Sequence, residues 1–236
     1  MFAFVIDPEW VVFGVGGVIV LAIVLAIVAA RDRKRKAAIN AVAGEIGFSM
    51  EGSKWSDAEQ SRDLVTALFQ TGKLRSFRNI MTGNTSGLRA AVFDYFYQTG
   101  AGTDSHNTEQ TCAAFLKSGA NLPTFDLAPV GIMQKVGGAL GQKGITFDAH
   151  PEFSQRYRLG TTDESRTRDL FEPPLLALLS GLDAQKKWRL EGAGQTLIVY
   201  RAGKKVKPAE LRAFLDETGA LASSFFGLVS TENPVA

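Results

Sequence analysis

The sequence predicts an α+β fold: an N-terminal apolar helix, then one domain of antiparallel strands with flanking helices. Three observations carry this. Residues 10–30 form an uncharged apolar run, residues 73–118 alternate as strands, and several later segments show helical periodicity with capping signals.

The run over residues 10–30 holds no charge and only one side-chain polar group, the indole N–H of Trp10. As a helix its 21 residues reach about 31 Å, which matches a hydrocarbon core of about 30 Å. Asp7 and Glu9 precede it, and Arg31, Arg33, Lys34, Arg35 and Lys36 follow it, with Asp32 the one acid among them. Basic residues stay on the cytoplasmic side. The expectation is therefore a single-pass span in the cell (inner) membrane, N-terminus out and C-terminal domain cytoplasmic. The lipid bilayer would be the partner of residues 10–30, and anionic headgroups that of the five cations. A cleaved signal peptide fits less well, because it needs a basic n-region and a shorter apolar core. Ala22, Ala26 and Ala30 share one helical face and admit close helix approach, although Ala is common in such runs.

The expected organisation is a short external N-terminus (1–9), the span (10–30), a basic juxtamembrane segment (31–36), one domain (37–228) and a flexible tail (229–236). The apolar repeat Ala38, Ile39, Val42, Ile46 continues the first helix to Gly47. Ser56 and Glu59 have capping-box spacing ahead of a helix that Gly72 closes. "KLRSFRNIM", "LRAAVFDYFYQ" and "TEQTCAAFLKS" read as a three-stranded meander, with "TGNTSG" as the first turn. "ANLPTFDLAPVG" reads as extended. The glycine-rich stretch 131–144 reads as a lid over the core or a membrane-surface contact. "ITFDAHPEFSQRYRLG" predicts two strands broken at Pro151. Thr161 with Glu164 forms a second capping box, Pro173 and Pro174 start a helix, "KWRLEG" and "QTLIVYRAG" form a hairpin, and Pro208 opens the last helix.

Composition excludes some function classes. The chain carries 26 cations and 24 acids; outside residues 1–36 the two balance at 21 each. Without a basic excess, nucleic acid is not an expected partner. A single cysteine, Cys112, leaves no intramolecular disulfide and no cysteine-based metal site.

Taken in order, the span with its Arg/Lys collar, "AVAGEIGFSM", "RNIMTGNTSG", "AVFDYFY", "TEQTCAAF", "LPTFDLAP", "ITFDAHPEFSQRYRL", "DESRTRDLF", "LEGAGQTLIVYR" and "KPAELRAFLDE" resemble a family of uncharacterised bacterial single-pass membrane proteins, a domain of unknown function. The resemblance covers residues 38–226. It implies a bacterial membrane-tethered domain and assigns no catalytic residue.

The candidate chemistry is sparse. Asp148, His150 and Glu152 would share a strand face, but Pro151 interrupts it and further nitrogen or sulfur ligands are lacking, so no metal or other cofactor is expected. Cys112 and His106 are a conceivable nucleophile–base pair, with Cys112 reading more simply as a small core residue. "FDYFY" reads as a core strand, with Asp94 as its odd member, paired with Arg89 or another cation or marking a small pocket. The expectation is a binding module for a protein partner or a membrane surface. The alternative is a membrane-tethered hydrolase-like enzyme using Asp94, Asp148 and His150.

Overall fold

The computed structural model describes residues 8–51, 66–131 and 144–230, with side chains from Val18 onward except Ile19 and Ser230. Among them an eight-stranded, wholly antiparallel sheet forms the body of the domain, ordered β1-β2-β3-β4-β8-β7-β5-β6. The strands are β1 (Ser49–Met50), β2 (Lys73–Thr85), β3 (Leu88–Thr99), β4 (His106–Leu116), β5 (Leu122–Pro129), β6 (Tyr157–Thr161), β7 (Trp188–Gly194) and β8 (Thr196–Arg201). The expected meander is β2-β3-β4. The expected C-terminal hairpin is β7-β8, and it inserts between β4 and β5.

Among the described residues six α-helices accompany the sheet: α1 (Pro8–Glu45), α2 (Ala67–Gln70), α3 (Pro151–Arg156), α4 (Glu164–Leu170), α5 (Pro173–Ser180) and α6 (Leu211–Ser230). One sheet face is covered by α6, α5, α4, α3 and the C-terminal part of α1, around Val92, Phe115, Val199, Leu190, Leu127 and Phe125. The other face buries Ile80, Phe93, Tyr95, Tyr97, Cys112, Ile198 and Tyr200 beneath Leu68 of α2. The alternation of β3 divides "FDYFY" accordingly: Phe93, Tyr95 and Tyr97 enter the second face and Asp94 points to the first.

α1 ends as its sequence predicts. Gly47 takes φ +74°, and the Phe48 N–H donates to the Ala43 carbonyl at 2.8 Å, satisfying the helix terminus. Ile39 and Ala43 are buried in the main core, so the second half of α1 docks on the sheet. Its first part does not dock: Val18, Val20, Leu21, Ile23, Val24, Leu25, Ile27 and Val28 are all exposed.

Among the described residues no helix is long and apolar enough to cross a membrane. This corrects the expected single-pass placement in the inner membrane and the orientation drawn from it. The described apolar side chains begin at Val18 and give way to charge at Arg31. The side chains of residues 10–17, the rest of the expected span, lie outside the described residues. So do the Ser56/Glu59 capping box, most of the glycine-rich stretch 131–144 and the tail from residue 231.

Two local expectations are also corrected. Pro151 starts a helix rather than breaking a strand: it occupies the first turn of α3, where its missing N–H leaves no bond unmade. Only β6 follows as a strand, with Ile145 in an isolated bridge to Leu159. The cap of α4 is Asp163, whose carboxylate accepts from the Arg166 N–H at 3.1 Å. Thr161 sits two residues too early and instead accepts from the Asp163 N–H.

Candidate functional site

Asp94 is bonded on every side. Arg35 of α1 donates Nε to Oδ2 and Nη2 to Oδ1, both at 2.8 Å, in a bidentate fork. Asn79 Nδ2 and the Thr111 hydroxyl each donate at 2.8 Å. Asn79 reaches in from an irregularity in the β2-β3 pairing, in the left-handed conformation (φ +52°) that Asn tolerates. Thr111 is the register partner of Asp94 and accepts in turn from the Val206 N–H. Arg89 is not the partner of Asp94, because it lies five residues away along β3, about 17 Å. Arg35 belongs to this clamp rather than to the basic collar, whereas Arg31, Arg33, Lys34 and Lys36 are exposed. Asp94 thus anchors α1 to the sheet and leaves no open pocket.

Asp148 and His150 lie elsewhere. They precede α3 beside β6, five strand steps from β3 or about 24 Å across the sheet, so the cleft expected from Asp94, Asp148 and His150 does not form. His150 Nδ1 approaches Glu152 Oε1 at 3.6 Å, a local pair at the start of α3. His106 and Cys112 share β4, six residues or about 20 Å apart, and cannot act together. Cys112 is fully buried, and burial holds its thiol well above its ordinary pKa, which suits a core residue rather than a nucleophile.

The second face carries a constellation that sequence reasoning missed. Arg189 and Glu191, two apart on β7, point together into this face and meet Asp126 of β5 and Tyr200 of β8. Arg189 Nη2 donates to both Asp126 oxygens, at 2.8 and 3.1 Å. The Tyr200 hydroxyl donates to Glu191 Oε1, and the Leu68 N–H donates to Glu191 Oε2 at 2.8 Å, tying α2 to the sheet. Burial, then Asp126, raises the Glu191 pKa to about 7, against the opposing pull of Arg189 and the two hydrogen bonds. Arg189 stays charged: burial works against it, but Tyr200, Asp126 and Glu191 outweigh that. The available signal was a pair of charges at i and i+2 inside an apolar strand, "WRLEG", which buried strands carry only when partnered. Chemically this group is a buried ion cluster: Asp126, Arg189, Glu191 and Tyr200 are all buried, and α2 is bonded to Glu191 through the Leu68 N–H.

Open space lies instead at the sheet end formed by the β2-β3, β4-β5 and β7-β8 connections. A cleft of about 800 Å³ there is lined by Asn84, Arg89, Lys117, Ser118, Gln195 and Thr196, among others. Among the described residues no group of three His, Cys, Asp or Glu side chains could hold a metal.

No family model and no curated protein matches the chain. Among solved structures, it is similar to the mycobacterial trehalose monomycolate transport factor A, at a TM-score of 0.58 and 12% identity, over 86% of this chain and 99% of the other. At that identity the likeness is one of fold.

Proposed function

We propose that the chain is a binding module that docks onto a helical partner protein through the free part of α1. The observation that carries this is the exposure of eight large aliphatic side chains on one helix, from 47% at Ile27 to 67% at Val18. Contiguous apolar surface on this scale marks an interaction site. At 3.6 residues per turn the eight cover about 220° of the helix, with Ala22, Ala26 and Ala30 on the remaining side, so a single neighbouring helix would leave part of them wet. The partner therefore meets α1 with more than one apolar helical surface. The exposed cations Arg31, Arg33, Lys34 and Lys36 call for acidic residues at that partner's rim. Arg35, held by Asp94, fixes α1 to the domain, so capture of the helix positions the whole sheet. The fold neighbour is by name a transport factor, and a binding role for this chain is compatible with that name.

Photo-cross-linking groups at Leu21 and at Leu25 should trap the same helical protein. The pair Leu21→Asp and Leu25→Asp should remove that product while the domain keeps its melting temperature. Leu74, exposed at 68% on β2, is the control. If a probe there traps the same protein equally, or the aspartates change nothing, the reading is wrong.

A further inference from the structure

We infer that the cleft between the end of β5, the end of α3 and the start of β7 binds a small amphipathic anion, with Lys187 and Arg156 holding its head group and Val130 beside its apolar part. The cleft measures about 410 Å³ and is lined by Pro129, Val130, Gln155, Arg156, Tyr157 and Lys187, among others. Ligand cavities run from about 300 to 1,000 Å³, so this one suits a small molecule. The register of the sheet brings these residues together. Pro129, the last residue of β5, pairs with Tyr157 at the start of β6. The Val130 N–H then donates to the Arg156 carbonyl at 2.8 Å. Lys187 comes from the other side, directly after the short 3-10 turn (Ala184–Lys186) that leads into β7.

The cleft is rich in donors and poor in acidic acceptors. Arg156 donates Nη1 to the Ser180 carbonyl and Nη2 to the Leu182 carbonyl, which locks its guanidinium at the C-terminal end of α5. Both acceptors are neutral, so the positive charge persists, and the guanidinium has three further N–H groups. Lys187 takes the left-handed conformation, φ 51° and ψ 49°, while its N–H donates to the Ala184 carbonyl at 3.3 Å. Asn or Gly fills such a position with less strain, and a strained residue kept at a cleft points to a use for its side chain. The neighbouring Lys186 is held by Glu217, whereas Lys187 is exposed and pairs with no carboxylate among the described residues. Asp183, on the same turn, accepts from the Gln185 N–H at 2.9 Å. Among the described residues no acidic side chain lines the cleft. A neutral ligand would leave both charges unanswered, and a cation would be repelled. The apolar requirement comes from Val130, 58% exposed, with Pro129 next to it in the lining. An inorganic ion would leave that surface wet. The cleft is separate from the exposed part of α1, whose docked half packs against β1 and β2 at the other side of the sheet.

The test is isothermal titration calorimetry with the full chain, using octanoate, octyl phosphate, octylammonium and inorganic phosphate, each below any micelle-forming concentration. Octanoate and octyl phosphate should bind at one site in a salt-sensitive way, and the tighter of the two tells a carboxylate head group from a phosphate. Octylammonium should be silent, and inorganic phosphate should bind at least about tenfold more weakly than octyl phosphate. Lys187→Asn removes the ammonium and suits the left-handed backbone. It should fold as well as the parent and bind both amphipathic anions about three- to fivefold more weakly, the scale of one exposed charge. Lys187→Arg keeps the charge and should bind like the parent. Leu21→Asp with Leu25→Asp should leave binding unchanged, which separates the cleft from α1. Undetectable binding of both amphipathic anions, equal binding of octylammonium or inorganic phosphate, undiminished binding by Lys187→Asn, or loss of binding in the double aspartate variant would each overturn the inference.

Discussion

Arg35 and Asp94, 59 residues apart in the chain, form a two-pronged ion pair that joins α1 to the centre of the sheet. The side chains are 15% and 6% exposed, so most of the attraction is unscreened by solvent. Removing either partner strands the other among groups arranged for it. Asp94→Ala should cost about 2–4 kcal/mol, and Arg35→Ala somewhat less because Arg35 can still reach water. Arg35→Lys cannot reproduce the fork and should recover little of the loss. A double-mutant cycle by denaturant unfolding checks the coupling. Hydrogen exchange should show the amides of α1 around Ile39 loosening first.

Glu191 sets a pH dependence. Its pKa rises from 4.5 to about 7 on folding, so between those values the folded chain holds a proton the unfolded chain has released. Stability from this group therefore falls as pH rises from about 4.5 to 7, by about 3 kcal/mol in all. Glu191→Gln keeps an acceptor for the Leu68 N–H and removes the charge. It should be more stable than the parent at pH 8 by about that amount, with the gap closing by pH 5. Equal pH profiles for the two proteins would show that Glu191 titrates normally.

Gly192 is required by packing. A Cβ there would lie 2.2 Å from Cε1 of Phe125. Phe125 is wedged between Phe171 and Phe225, with ring centres 5.2 and 5.9 Å away, so it has nowhere to move. Gly192→Ala should cost about 1–3 kcal/mol, read from chemical denaturation.

Cys112 should be silent to thiol reagents in the folded protein. It is fully buried and its thiolate is disfavoured by burial. Labelling should appear only across the unfolding transition. Rapid labelling in native buffer would show that the second face opens.

The strands were legible because each alternates or runs apolar between turn residues, as β2, β3 and β4 do around "TGNTSG" and "TGAGTDSHN". The last helix was legible from Pro208 and the spacing of Leu211, Phe214, Leu215 and Phe225. What stayed hidden depends on contacts between distant segments. The partner of Asp94 is a collar residue that charge counting assigns to the membrane surface, and only the docking of α1 turns Arg35 inward. The cluster of Asp126, Arg189 and Glu191 needs the insertion of β7-β8 beside β5, which no local pattern announces. Pro151 was ambiguous because proline ends a strand and begins a helix equally well.

The margins of the sheet govern how copies of this protein meet. β1 is two residues long, and β2 behind it is interrupted twice, with Leu74 and Asn79 in left-handed conformations. At the opposite margin β6 runs five residues, and Ile145 bonds to its outer side. Neither border, as described, offers a long straight ladder of free amides. Fibre growth by edge-to-edge pairing is thereby obstructed at both ends, and crowded copies keep their sheets apart.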